Sequence, residues 1–176
     1  MKITAISDTH CYHKRLNLSG GDVLLHAGDI SSQGREPEVK DFIQWFDKQP
    51  YKYKIFIAGN HDKSFDPKFS NGYQHPKDRN PVEPDNTWLN KLIDEFTSNP
   101  NNYYLQDSDC IIGEIKIWGS PWTPWFHGEY WAFNKQRGDS IKRVWDKIPM
   151  DTNIVMTHGP VNMKLDKVQQ VGSSNY

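Results

Sequence analysis

Aspartate, histidine and asparagine occur in four short segments whose residue types suit metal binding. The segments are Asp8-Thr9-His10, Gly28-Asp29, Gly59-Asn60-His61-Asp62 and Thr157-His158-Gly159-Pro160. Carboxylate, imidazole and amide oxygen ligands suit Mn, Fe or Zn, whereas thiolates would indicate structural zinc or an iron–sulfur centre. One aspartate can bridge two cations, and ions about 3.5–4 Å apart suit attack on a phosphate ester. The set therefore predicts a two-metal site for phosphoester hydrolysis.

Each polar segment follows a run of residues that predicts a buried strand. These runs cover residues 2–7, 23–27, 53–58 and 153–156. In open α/β sheets the functional crevice lies beyond the carboxyl ends of the strands, where loops carry side chains on a rigid base. We therefore expect the polar segments to meet at one edge of a sheet.

Each segment taken alone also has an ordinary structural explanation. Asp-x-His occurs by chance in many proteins, and Gly-Asp after a strand is commonly a turn or a helix cap. The ordered set favours the metal site, because a purely structural explanation would need four unrelated coincidences at strand ends.

These motifs and an aromatic segment resemble the calcineurin-like metallophosphoesterases. Trp118 to Phe126, then Trp131-Ala132-Phe133-Asn134, then Thr157 to Pro160 follow the order of the metallophosphoesterase-domain-containing subfamily. The resemblance spans nearly the whole chain. It implies a single domain over residues 1–176 with an α/β fold, in which a sandwich of two sheets is flanked by helices in an α-β-β-α arrangement.

The resemblance also implies a role for each polar residue and two divalent cofactor ions, Mn, Fe or Zn. The implied metal ligands are Asp8 and His10 for the first ion, Asn60 and His158 for the second, and Asp29 as the bridge between them. His61 would protonate the leaving oxygen or stabilise charge on the phosphoryl group, and Asp62 would orient its ring. A metal-bridging hydroxide would attack a small phosphodiester, such as a cyclic nucleotide.

The sequence departs from the subfamily pattern after His158. Members of that group continue to a Gly-x-His segment whose last histidine completes the first metal site, and no such segment follows here. We therefore expect a shortened domain without the last strands, weaker binding of the first ion and reduced activity. A fragment, a naturally short protein and a chain completed by a partner all remain open. The alternative function is an impaired member of the fold that binds a nucleotide or a protein.

Composition agrees with one enzyme domain and argues against several partners. The chain carries 21 basic and 22 acidic residues for a net charge of −1, so no net field draws it to nucleic acid or an anionic membrane. A nuclease is disfavoured because no basic stripe follows a polynucleotide track. Apolar runs are too short to cross a bilayer, and the two cysteines favour a cytoplasmic location. The oligomeric state stays undetermined.

Between the motifs, periodicity predicts helices over residues 36–48 and from Asn86-Thr87 to Asn99-Pro100. Residues 103–105, 110–112 and 115–118 predict strands of the second sheet, the last two as a hairpin. The stretch 66–85 is rich in proline and predicts a long surface loop, which either passes near the site and shapes substrate entry or is a disordered connector.

The aromatic segment from Trp118 to Phe133 has two interpretations. Dense rings can stack on a nucleobase, or they can simply fill a core. We expect mainly core, with Trp122 or Phe126 lining the substrate cleft. His127 would reach the phosphate, although a surface imidazole is the plainer expectation.

Overall fold

The computed structural model describes residues 1–70, 87–126 and 128–160. Its strands are β1 (Ile3–Ile6), β2 (Gly21–Ala27), β3 (Tyr51–Ile57), β4 (Asn102–Tyr104), β5 (Ser108–Ile112), β6 (Ile115–Ser120), β7 (Thr123–Pro124), β8 (Asn134–Lys135) and β9 (Ile154–Thr157). Its helices are α1 (Glu36–Asp47), α2 (Pro67–Ser70), α3 (Thr87–Thr97) and α4 (Asp139–Trp145), with 3₁₀ turns at His13–Arg15 and Lys63–Phe65.

The first sheet is parallel and has the strand order β1-β2-β3-β4. Residues 103–105 were predicted to join the second sheet, and this prediction was wrong. Instead β4 runs parallel to β3, with Ile55 opposite Tyr103. The reason is connectivity, because α3 returns the chain to the edge of the sheet it left, as crossover connections do. Strand periodicity alone does not say which sheet a strand joins.

The second sheet has the order β5-β6-β9 and mixes two strand directions. Strands β5 and β6 form the predicted antiparallel hairpin, and β9 lies parallel to β6, with Ser120 opposite Thr157. This pairing carries the Thr157-His158 segment to the same end of the molecule as the loops that follow β2 and β3.

Two apolar cores lie on opposite faces of the first sheet. On one face, Phe42 and Phe46 of α1 pack over Leu24 and Phe56, which confirms the predicted apolar face of this helix. On the other face, residues such as Ile57 pack against the second sheet. The architecture is therefore the predicted α/β fold, with two main sheets flanked by helices, and β7 and β8 form a separate two-stranded sheet. No helix within the described ranges has the length and apolar character needed to cross a membrane.

The predicted surface loop over residues 66–85 begins as buried structure. Asp66 is 4% exposed and Phe69 is 1% exposed, and α2 starts at Pro67. The Asp66 carboxylate accepts a hydrogen bond of 2.7 Å from the backbone N–H of Phe133. This contact holds the Asp66 carboxylate in the interior, whereas the neighbouring Pro67 and Lys68 are exposed. The remainder of the predicted loop, from residue 71 onwards, lies outside the described residues.

Candidate metal centre

The four polar segments predicted from the sequence meet beyond the carboxyl ends of β1, β2, β3 and β9. The loops after β1 and β2 are joined by backbone hydrogen bonds, from Asp8 N to Gly28 O at 2.9 Å and from His10 N to Asp29 O at 3.0 Å. Parallel strands place their carboxyl ends side by side, so residues far apart in sequence become neighbours here.

Asp29 lies at the centre of the cluster and is 3% exposed. Its Oδ2 is 3.6 Å from His10 Nε2, and its Oδ1 is 3.4 Å from His158 Nε2. Burial acts to raise the pKa of this carboxyl, but the hydrogen bond and charge of His158 outweigh it and hold the pKa below its ordinary value. Each carboxylate oxygen thus faces a different imidazole, which is the arrangement that a bridging ligand requires.

His158 presents its Nε2 to two oxygen atoms. Its Nδ1–H donates to the carbonyl oxygen of Ala27 at 2.8 Å, and Nε2 lies 2.9 Å from Asn60 Oδ1. Burial acts to lower the pKa of His158, yet the hydrogen bond and charge of Asp29 raise it to about 9. A backbone carbonyl on Nδ1 with Nε2 facing oxygen ligands is the usual setting of a metal-binding histidine.

The donor atoms form two overlapping groups that share Asp29. One group contains His10, Asp29 and His61, the other contains Asp8, Asp29 and His158, and within each group the donor atoms lie within 4.8 Å of one another. Asn60 Oδ1 adjoins the second group. These carboxylate, imidazole and amide donors fit divalent ions such as Mn, Fe or Zn. The grouping differs from the predicted one, in which Asp8 accompanied His10.

The backbone around these ligands is strained and tightly packed. Asp8, His10 and Asp29 have φ angles of 55°, 41° and 56°, a left-handed region that costs non-glycine residues about 1–3 kcal/mol each. At Gly59, a Cβ atom would lie 2.3 Å from Asp29 Oδ1, so only glycine allows this approach. At Gly28, with a φ of 96°, a Cβ would lie 2.6 Å from His158 Nδ1. Such strain is typical of functional sites.

The structure corrects the predicted contact between Asp62 and the ring of His61. The Nδ1–H of His61 donates to the carbonyl oxygen of Ser32 at 2.8 Å, so a backbone group sets the tautomer. The Asp62 carboxylate instead accepts from the backbone N–H groups of Ile30, Ser31 and Gly59 and from the Ser31 hydroxyl. It joins the loop that carries Asp29 to the loop that carries Asn60. Sequence spacing does not show that the aspartate points away from its neighbour's ring.

Asp62 is completely buried. Burial, followed by the negative charge of Asp29, raises its pKa to about 6, although the Ser31 and Gly59 donors act against this rise. The carboxylate therefore depends on these donors for its place in the interior.

Trp131 is a candidate site residue that the sequence analysis did not single out. Its ring centroid lies 4.2 Å from that of His61, at an interplanar angle of 41°. The predicted cleft residue Trp122 instead donates its Nε1–H to Asp107 at 3.1 Å and lies under the Nζ of Lys135. The signal for Trp131 was its place in the Trp-Ala-Phe-Asn motif.

Phe126 and His127 are the two other residues predicted to contact the substrate. Phe126 is half-buried, and its carbonyl oxygen accepts a hydrogen bond of 3.4 Å from Asn134 Nδ2. His127 lies outside the described residues. A substrate role for Trp122, Phe126 or His127 therefore stays a prediction.

Comparison with known proteins agrees with this site. The family model for calcineurin-like phosphoesterases matches residues 1–175. The chain belongs to the calcineurin-like phosphoesterase family. Enzymes of this family use divalent metal ions, which agrees with the two donor groups around Asp29.

Among curated relatives, the chain is similar to metallophosphoesterase domain-containing protein 1 of Homo sapiens and of Mus musculus. It is 38% identical to each over 186 residues, which is 97% of this chain and 53% of the relative. It is also 34% identical to the probable rhamnogalacturonate lyase C of Emericella nidulans, over 94% of this chain and 14% of that protein. The chain thus spans about half the length of the human and mouse relatives.

Proposed function

We propose that this calcineurin-like chain is a metal-dependent phosphodiesterase with a dinuclear centre. The observation that carries the proposal is Asp29, whose two carboxylate oxygens face His10 on one side and His158 on the other. Within the described residues, this carboxylate is shared by both donor groups that could hold an ion. Its buried position agrees with a ligand whose charge two cations would neutralise.

The residues of the two donor groups, together with Asn60, would hold two divalent ions. When bound, such ions polarise a phosphoryl oxygen and lower the pKa of water. The chain's own contribution is to keep the ligands in place before an ion arrives. His158 is held through Ala27 O, and the Asp29 carboxylate accepts the His61 backbone N–H at 2.8 Å.

His61 is proposed to assist departure of the leaving oxygen. Because its Nδ1–H is committed to Ser32 O, Nε2 is the ring nitrogen left to face a leaving alkoxide. Donation from Nε2 requires a ring that carries a proton on both nitrogens, and the ring is left neutral once the alkoxide has taken the Nε2 proton. The same ring belongs to the donor group with His10 and Asp29, so a ligand role is the competing assignment. Metal content separates the two, because a His61→Ala variant loses an ion only if His61 is a ligand.

The proposed substrate is a small phosphodiester, including cyclic nucleotides. A net charge of −1 gives no field that would gather a polynucleotide. Aromatic rings beside His61 offer a flat apolar surface, on which a base stacks with about 1–3 kcal/mol. We also propose a cytoplasmic location, because the two cysteines are not joined in a disulfide.

The first test is hydrolysis of bis-p-nitrophenyl phosphate with added Mn²⁺. We expect turnover that stops with chelator and falls about 10²- to 10⁴-fold in His61→Ala, because a general acid contributes about that factor. Bound metal is counted in both proteins by elemental analysis. Chelator-resistant turnover would contradict the proposal. Absence of turnover combined with Mn²⁺-dependent thermal stabilisation would instead support a binding protein of the same fold.

A second test addresses the bridge. Asp29→Ala is expected to lower bound metal towards zero, whereas Asn60→Ala is expected to keep one ion, because only Asp29 serves both donor groups. Metal per chain is measured after dialysis against Mn²⁺-containing buffer. Asp109→Ala, an exposed carboxylate on β5, is the matched control and should not change the count. Equal metal content in the Asp29 and Asn60 variants would count against bridging.

A further inference from the structure

Trp131 lies beside the candidate metal centre without being one of its candidate ligands. Its ring lies 4.2 Å from the ring of His61, centroid to centroid, while the ring of Tyr130 lies 5.0 Å from Trp131. Trp131 is half-buried and belongs to neither donor group. An indole against a candidate catalytic imidazole can restrict the orientations available to that imidazole.

The segment that carries Trp131 is attached to the metal centre by its backbone. The N–H of Ala132 donates to the carbonyl oxygen of Asn60 at 3.0 Å, and the N–H of Phe133 donates to the buried Asp66 carboxylate at 2.7 Å. Ala132 and Phe133 are both fully buried. These two hydrogen bonds therefore fix the position of the Trp131 segment relative to the loop that carries His61.

Three contacts surround the ring of His61. Ser32 O fixes Nδ1, the ring of His10 meets it edge-on at 4.6 Å, and Trp131 lies against it on a tilted plane. The hydrogen bond to Ser32 alone still allows the imidazole to rotate about the line that joins Nδ1 to the Ser32 oxygen. His10 is itself a candidate metal ligand, whereas Trp131 belongs to neither donor group, so Trp131 is the ring contact that has no other assigned role.

We propose that Trp131 is a positioning residue for His61, holding its imidazole so that Nε2 is presented to the leaving oxygen. The expected effect on kcat rests on the proposed phosphodiesterase function. The expected restriction of the His61 ring does not depend on that function. Loss of the indole is expected to leave the metal ligands intact while the imidazole samples orientations in which Nε2 cannot reach the substrate.

The kinetic experiment is a double-mutant cycle on the full chain with bis-p-nitrophenyl phosphate and Mn²⁺. Trp131→Leu is expected to lower kcat about 10- to 100-fold with KM changed little, since misplacement of a catalytic group costs factors of this size. In the His61→Ala background the same substitution should have no further effect. Trp131→Phe should recover most of kcat. An equal loss in both backgrounds would overturn the proposal.

Controls exclude a general loss of structure. Trp45→Leu removes an indole of α1 that packs on His13 and Phe42 and belongs to neither donor group, so it should leave kcat unchanged. Bound metal should be equal in wild type and Trp131→Leu.

A further test uses a series of aryl diesters whose leaving groups have increasing pKa. The loss of kcat in Trp131→Leu should grow along this series. A defect independent of the leaving group would contradict action through His61.

A second readout needs no turnover, so failure of the proposed function and failure of this inference can be told apart. The carbon-bound ring protons of His61 are observed by NMR and assigned by their loss in His61→Ala. In wild type the ring lines are expected to be sharp and displaced by the indole ring current. In Trp131→Leu the imidazole is expected to change orientation, which lowers the order parameter of the ring or, where the exchange is slow, broadens its lines. Lines that move while both the order parameter and the line width keep their wild-type values would show that Trp131 does not restrict the ring.

Discussion

The side chain of Asp62 joins two loops that carry predicted metal ligands. Four hydrogen bonds reach its carboxylate from Ile30, Ser31 and Gly59. All these donors are buried with it. A single carboxylate thus substitutes for the backbone pairing that the loops beyond the strand ends cannot make.

Replacing Asp62 is therefore expected to destabilise the protein strongly. Asp62→Ala leaves three buried N–H donors without an acceptor, and such groups cost about 1–3 kcal/mol each, so we expect a loss of at least about 3 kcal/mol. Asp62→Asn keeps one acceptor oxygen and should lie between alanine and wild type. The measurement is urea unfolding of each variant without added metal.

Ser31→Ala is the matched control for the Asp62 variants. It removes the hydroxyl that donates to Asp62 and that accepts the buried Gly34 N–H at 2.8 Å, but it leaves the three backbone donors to Asp62 paired. A loss of about 1–3 kcal/mol, smaller than that of Asp62→Ala, is therefore expected. A loss below 1 kcal/mol in Asp62→Ala would mean that the loops hold each other by other contacts.

At the scale of elements, α1 seals one face of the first sheet around a buried histidine of β2. His26 is fully buried, with its ring centroid 4.9 Å from that of Phe42 and its Nε2 3.0 Å from Thr9 Oγ1. Burial, then the charge of His158, lowers the pKa of His26 from 6.5 to about 3. The packing of α1 on β2 therefore requires a neutral imidazole.

This packing predicts acid-sensitive stability. The unfolded chain takes up a proton on His26 near pH 6.5 and the folded chain only near pH 3, so stability falls as the pH falls between these values. From pH 7.5 to 4.5 this residue should account for a loss of about 3 kcal/mol. Urea unfolding at both pH values should show a smaller loss for His26→Gln. Equal losses in the two proteins would contradict the assignment.

At the scale of the whole molecule, the two sheets contact each other closely at Gly119 of β6. A Cβ atom there would lie 2.4 Å from Leu105 Cβ and 2.8 Å from Ile57 Cγ2, which belong to the first sheet and its edge. Leu105 and Ile57 are buried in the core between the sheets. The distance between the sheets therefore leaves no room for a side chain at this point.

Gly119→Ala should force the sheets apart locally and lower stability by about 1–3 kcal/mol, the usual cost of overpacking. The free energy of unfolding in urea measures this. Ile111→Ala on the neighbouring strand β5 removes a side chain that is 60% exposed and should change stability by less than about 0.5 kcal/mol. If both variants behave alike, the sheets adjust more freely than their packing indicates.

Local patterns in the sequence predicted the strands, the apolar face of α1 and the set of residues that the fold brings together around Asp29. Asp8, Asp29, Asn60 and His158 each follow an apolar run, and this pattern predicts positions at strand ends. The reason is that parallel strands buried on both faces consist of continuous apolar residues, so a polar residue after such a run marks the end of the strand. The motif order was also enough to indicate the calcineurin-like family, which the family match confirms.

Only the tertiary structure decided which partners those residues have. The contact of Trp131 with His61 and the attachment of Asp62 to Ser31 join residues far apart in the chain or side chains whose direction depends on backbone torsion. The pairing of β4 with β3 depends on the path of α3. Periodicity reports which residues are buried, but direction and neighbour choice arise from long-range packing and connectivity, which no local pattern encodes.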